Sequence, residues 1–101
     1  MTNAAGVARS WLEWGSAVNL PSPHYVTISM SGSGARISFA VDRAYDVAQW
    51  ARKIGVPRQS TAHHGKLYHE ATYVVPDYQI DVYSVTTVTP GQFARMTGAQ
   101  L

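Results

Sequence analysis

The stretch Leu67–Thr86, LYHEATYVVPDYQIDVYSVT, decides the fold. Both halves are rich in the β-branched and aromatic residues that suit strands. Between them lies Val75-Pro76-Asp77-Tyr78. Proline holds φ near about −65°, which excludes a tight type I′ turn but suits the second position of a type I turn. The resulting loop pairs Val74 with Gln79. Thr72 then opposes Asp81, Glu70 opposes Tyr83, and Tyr68 opposes Val85. Side chains alternate between the two faces of a strand. One face therefore holds Leu67, His69, Ala71, Tyr73, Ile80, Val82, Ser84 and Thr86. It is the more apolar face, and it is expected to meet the core.

Working upstream, Val7, Trp11, Trp14 and Val18 recur with helical spacing, flanked by Ala4, Ala8 and Gly15 and widened by Leu12. Pro21 and Pro23 end this first helix. Two alternating runs follow, His24–Ser31 and Ala35–Asp42, joined by Ser31-Gly32-Ser33-Gly34. They predict a hairpin with Val26, Ile28 and Met30 on one face and Ala35, Ile37, Phe39 and Val41 as their counterparts. Asp42 is the expected N-cap of a second helix. Ala44, Val47, Ala48, Ala51 and Ile54 form the buried stripe of that helix, with Trp50 beside it. Gly55 and Pro57 mark its end. Residues 58–65 read as a polar loop. Downstream, Thr89-Pro90 fits the start of a short helix containing Phe93 and Met96 and running to Gly98.

The order αββαββ, then a short α, predicts an α+β fold with a four-stranded antiparallel sheet and two helices on one face. The 101 residues are expected to form one domain. Trp14, Val18, Leu20 and Pro21 match Trp50, Ile54, Val56 and Pro57 at a constant offset of 36 residues. This echo suggests a pseudo-duplication in which each unit is a helix followed by a hairpin.

Composition narrows the functional classes. There are no cysteines, which removes disulfides, iron–sulfur clusters and thiol catalysis. No segment has the length and apolarity of a signal peptide or a membrane span, and a cytoplasmic location is expected. Charged residues make up 14%, against a norm of about 25%. So few charges, with three Trp and six Tyr, favour association with a partner or with a second copy. Arginine outnumbers lysine, which hints at a bacterial or phage origin.

His63-His64-Gly65-Lys66-Leu67-Tyr68-His69-Glu70 resembles a metal or acid–base cluster at first sight. Alternation along a strand breaks it up. His64 and His69 fall on opposite sides, as do His69 and Glu70. His63 and His69 share a side but stand roughly 20 Å apart at the usual strand rise. No recognised zinc spacing is present. His69 reads as a partly buried histidine with Ser84 opposite as its hydrogen-bond partner, and His63 and His64 as loop residues. No nucleophile elbow, phosphate-binding loop or dinucleotide fingerprint occurs. Glu70 and Asp81 share the outer face diagonally, but nothing places them in a cleft. No catalytic residue, metal or cofactor is assigned.

The outer sheet face remains. It gathers Tyr25, Arg36, Lys66, Tyr68 and Tyr83, with Glu70, Thr72, Val74, Asp81 and Val85 among them. Cross-strand packing alone would account for the tyrosines. As a binding platform, the face would suit a protein partner or a second copy of the chain. Alternatively it binds nucleic acid, with the tyrosines stacking on bases and Arg36, Lys66, Arg52, Lys53 and Arg58 meeting phosphates. The net charge of only +2 and the interspersed acids weigh against that alternative. A solvated helix end and loop would equally explain the basic stretch from Arg52 to Lys66.

Overall fold

The computed structural model describes residues 3–31 and 34–87. The helix expected around Phe93 and Met96 lies outside the described residues. The elements are α1 (Ala4–Ala17), β1 (Tyr25–Ser31), β2 (Gly34–Ala40), α2 (Ala44–Ile54), β3 (Arg58–His63), β4 (Lys66–Val74) and β5 (Tyr78–Thr87). The fold is α+β, with two helices and a five-stranded mixed sheet in the order β1-β2-β5-β4-β3.

The expected β4–β5 hairpin is present with its register: Val74 pairs Gln79, Thr72 pairs Asp81, Glu70 pairs Tyr83 and Tyr68 pairs Val85. The β1–β2 hairpin pairs Val26 with Phe39 and Ile28 with Ile37. The rest of the sheet corrects the expectation of four antiparallel strands. β5 lies between β4 and β2, and it runs parallel to β2. Residues 58–63, expected as loop, form β3 and pair antiparallel with β4. Arg58-Gln59-Ser60-Thr61-Ala62-His63 has no apolar alternation. At a sheet edge it needs none, because the backbone supplies the pairing and polar side chains stay in water. His64 and Gly65 both have positive φ, 49° and 73°, which makes the β3–β4 connection a two-residue turn of type I′ character.

Each helix is therefore followed by its own hairpin, α1-β1-β2 and α2-β3-β4, with β5 between them. The second hairpin of the echo is β3–β4 rather than β4–β5. β2 and β4 run antiparallel to one another across β5, the relation required by a pseudo-two-fold axis through β5 and normal to the sheet.

Both helices cover the face that carries Ile37, Phe39, Ile80 and Val82, all fully buried. α2 lies over β4 and β5, and α1 over β2. The buried line of α1 is Ala4, Ala8 and Gly15, not the expected stripe of Val7, Trp11, Trp14 and Val18. Trp14 is 37% exposed. Gly15 faces inward where α1 approaches Trp50 closely, and Val7, Trp11 and Leu12 pack against the core from half-buried positions. Trp50 is buried, donates from Nε1 to the Pro21 carbonyl at 2.8 Å, and touches the rings of Phe39 and Trp14.

The helix ends are also local chemistry. The Asn3 side chain caps α1 by accepting from the Gly6 N–H at 3.0 Å. Asn19 takes positive φ after the last turn, and the Leu20 N–H closes onto the Gly15 carbonyl. Gly55 ends α2 in the left-handed conformation, as its position before Pro57 implies. Asp42 is not the N-cap of α2. Arg43 holds that position without a side-chain cap, while the Asp42 carboxylate sits 2.9 Å from His24 Nδ1. No helix among the described residues is long and apolar enough to cross a membrane.

Candidate functional site

The sheet register sorts the candidate residues. Tyr25, Arg36, Lys66, Tyr68 and Tyr83 lie on the face opposite the helices. Arg52 and Lys53 belong to the last turn of α2, and Arg58 shares the helix side of the sheet with Ala71. The eight residues thus divide between two sides of the molecule. Lys53 lines a cleft of about 320 Å³ on the helix side with Trp11, Trp14, Ile54 and Tyr73.

On the open face, Tyr25, Ala40 and Tyr83 form one row across β1, β2 and β5. The two tyrosines are two strand spacings apart, roughly 9.6 Å. Ala40 makes the floor between them. His24, Asp42 and Val85 complete a cleft of about 340 Å³ at this end of the sheet. Tyr68 lies beyond Val85 on β4, and Lys66 at the start of that strand pairs with Thr87.

Arg36 has a different role from the one its sequence position suggests. Asp81 is 2% exposed although it lies on the open face. It is covered by Arg36, whose Nε donates to Asp81 Oδ2, while Thr72 Oγ1 and Gln79 Nε2 donate to Oδ1 at 2.8 and 3.0 Å. The hydrogen bond to Asp81, then its charge, hold the Arg36 guanidinium above its ordinary pKa. This cation is committed to an internal partner. Asp81 is likewise committed, to Arg36, Thr72 and Gln79. Glu70 opposes Tyr83.

The three histidines of the stretch do not converge on one point. The His63 and His64 rings are 3.9 Å apart at an exposed turn. His69 Nδ1 is 2.8 Å from Ser60 Oγ, so its partner comes from β3 and not from Ser84. Ser84 Oγ is buried with no hydrogen-bond partner among the described residues. Burial, and secondarily the charge of Arg58, push the His69 pKa below its usual value. Among the described residues, no group of three His, Asp or Glu side chains is placed to hold a metal ion.

The surface that sequence reasoning missed is β1. Val26, Ile28 and Met30 pair with Phe39, Ile37 and Ala35, so they project to the helix side. They are nonetheless 36%, 43% and 59% exposed, and Tyr25 on the other side is 58% exposed. The main helix contacts fall on β2, β3, β4 and β5 and not on β1. Among the described residues β1 is also an edge strand, with one row of backbone N–H and C=O groups left without a neighbouring strand. The other edge strand, β3, carries Arg58 and His63, whereas Tyr25–Ser31 contains no charged residue. The available signal was the charge-free run Tyr-Val-Thr-Ile-Ser-Met-Ser. Without the strand order, nothing marked it as an edge. Searches of family models, curated proteins and solved structures gave no match to this chain.

Proposed function

We propose that this chain is a small non-enzymatic protein-interaction module that associates with itself, with the β1 side of the sheet as its working surface. One observation carries this reading. A charge-free edge strand exposes three apolar side chains where the rest of that sheet face carries the core. Natural edge strands are normally protected by charge, proline, a bulge or a covering element, because an open edge recruits another strand. Exposed apolar surface beside such an edge is a mark of interaction sites. The paucity of charge in the whole chain points the same way.

Sedimentation over a range of concentrations tests the reading. A mass above that of the monomer, rising with concentration, is expected. Ile28→Lys should return the chain to the monomer with an unchanged far-ultraviolet spectrum, because residue 28 is open to water in the single chain. A wild-type chain that stays monomeric at the highest workable concentration would refute self-association.

A nucleic-acid reading has one observation in its favour, the row Tyr25-Ala40-Tyr83, which leaves room for a flat group between two phenols. Against it stand the engagement of Arg36 by Asp81 and the placement of Arg52, Lys53 and Arg58 on the other side. It requires affinity for single-stranded DNA or RNA that falls steeply with salt. Absence of binding at low salt would eliminate it.

A further inference from the structure

Resting on the self-association reading, we infer that the partner of β1 is the β1 of a second copy, paired antiparallel about a two-fold axis at Ile28 so that the two sheets become one. Three features lead to it. First, a two-fold axis normal to a sheet keeps every side chain on its own face. A residue can then oppose only residues of the same face, and the axis must pass beside one residue. Second, β1 spans Tyr25–Ser31, and its middle residue is Ile28. An axis there pairs every residue of the strand: Tyr25 with Ser31, Val26 with Met30, Thr27 with Ser29, and Ile28 with itself. Centring on Thr27 or Ser29 leaves residues of the strand beyond the overlap.

Third, the strand reads nearly alike in both directions. Apolar residues stand at 26, 28 and 30, and hydroxyl residues at 27, 29 and 31. In the proposed register Val26, Ile28 and Met30 each gain an apolar neighbour across the axis. No charge is brought against its own copy, since β1 has none. The same operation on β3, with the axis beside Ser60 or Thr61, would oppose Arg58 to Ala62 or Gln59 to His63 and offer no apolar pairs. Cross-strand neighbours of this kind are the stabilising unit of a sheet. The partner is therefore chemically specified as a neutral strand with apolar side chains at alternate positions, and the chain itself supplies one.

The absence of cysteine from the chain makes the test clean. Directly opposed residues have Cα atoms roughly 4.5–5.5 Å apart, within the range a disulfide spans. Ile28→Cys alone should cross-link to its own copy under mild oxidation. Val26→Cys alone should not, because like residues would stand four positions apart, roughly 13 Å. The same holds for Met30→Cys alone. Mixing Val26→Cys with Met30→Cys should restore the cross-link as a heterodimer. Thr27→Cys mixed with Ser29→Cys samples the alternate type of facing pair, so poor geometry at one type does not decide the outcome. Thr61→Cys on the opposite edge sets the rate of random collision.

If Ile28→Cys and both mixtures link no faster than Thr61→Cys while the wild type sediments as a dimer, the β1 register is wrong and self-association stands. If Val26→Cys links to itself as fast as Ile28→Cys, the proposed axis is refuted. If the wild type is a monomer and none of the variants cross-link, both readings fall. In that case the edge is closed by something other than a copy, residues 88–101 of the same chain included.

Discussion

Gly15→Ala should destabilise this protein, although alanine is much the better helix former. In a helix interior the exchange by itself favours alanine by about 1 kcal/mol. Here the new Cβ would stand 2.5 Å from Trp50 Cη2 and 3.0 Å from Cζ2. The indole has little freedom to yield. It is 1% exposed, its N–H is tied to the Pro21 carbonyl, and its ring is flanked by Phe39 and Trp14. Overpacking a filled core costs about 1–3 kcal/mol. A contact this short against a rigid ring belongs to the upper part of that range, so the net loss should be about 1–2 kcal/mol. Urea unfolding followed by far-ultraviolet circular dichroism, at fixed protein concentration, should show a midpoint lower by about 1 M, for a slope of about 1–2 kcal/mol/M. Ser16→Ala, one residue along and exposed, should change it little. Trp50→Phe removes the ring atoms that the methyl strikes. The losses in the double variant should then fall short of additive by about 1 kcal/mol. A Gly15→Ala protein as stable as the wild type, or strictly additive losses with Trp50→Phe, would refute the close-approach argument.

The Arg36–Asp81 pair should respond asymmetrically. Arg36→Gln leaves a buried carboxylate with Thr72 and Gln79 as its side-chain donors among the described residues, while Asp81→Asn leaves a guanidinium whose side chain is already 58% exposed and can hydrate. The first should cost about 2–3 kcal/mol and the second about 1 kcal/mol, read by the same urea titration; equal losses, or the reverse order, would contradict this account. His69 gives a pH effect with a definite sign. Its folded pKa is depressed by burial and then by Arg58, so between that value and the ordinary one, about 6.5, the unfolded chain binds more protons. Stability should be lost as pH falls through about 6.5 toward the folded pKa, with no contribution from this group above that window. His69→Gln should narrow the difference in unfolding free energy between about pH 7.5 and about pH 5.5, and an unchanged difference would remove His69 as its source.

Much of the local structure was legible because its causes lie within a few residues. Gly55 before Pro57 stops α2, and Pro76 sets a loop length that fixes the β4–β5 register. The same alternation keeps His69 away from His63 and His64, whose rings meet at the turn. The errors share a different cause. Asp42 has the chemistry of a cap, yet His24, just before β1, takes its carboxylate. The large residues of α1 look like a core stripe, yet the position of Trp50 demands a glycine at residue 15. β3 carries no side-chain pattern, because an edge strand is held by its backbone. Arg36 looked free for a ligand only because Asp81, 45 residues away, was not known to be its neighbour.

The sequence by itself determined α1 and α2, the two longer hairpins, the face of each residue in those hairpins, and the distance of His69 from the other two imidazoles of its stretch. Alternation and turn chemistry are local, so they can be counted along the chain. Only the tertiary structure decided that β5 enters between β2 and β4, that β1 is an edge, and that the helices leave Val26, Ile28 and Met30 uncovered. Strand order is settled by backbone hydrogen bonds between distant segments, and those bonds are alike for every residue type. They leave no mark in the sequence, and in this protein they choose which surface faces outward.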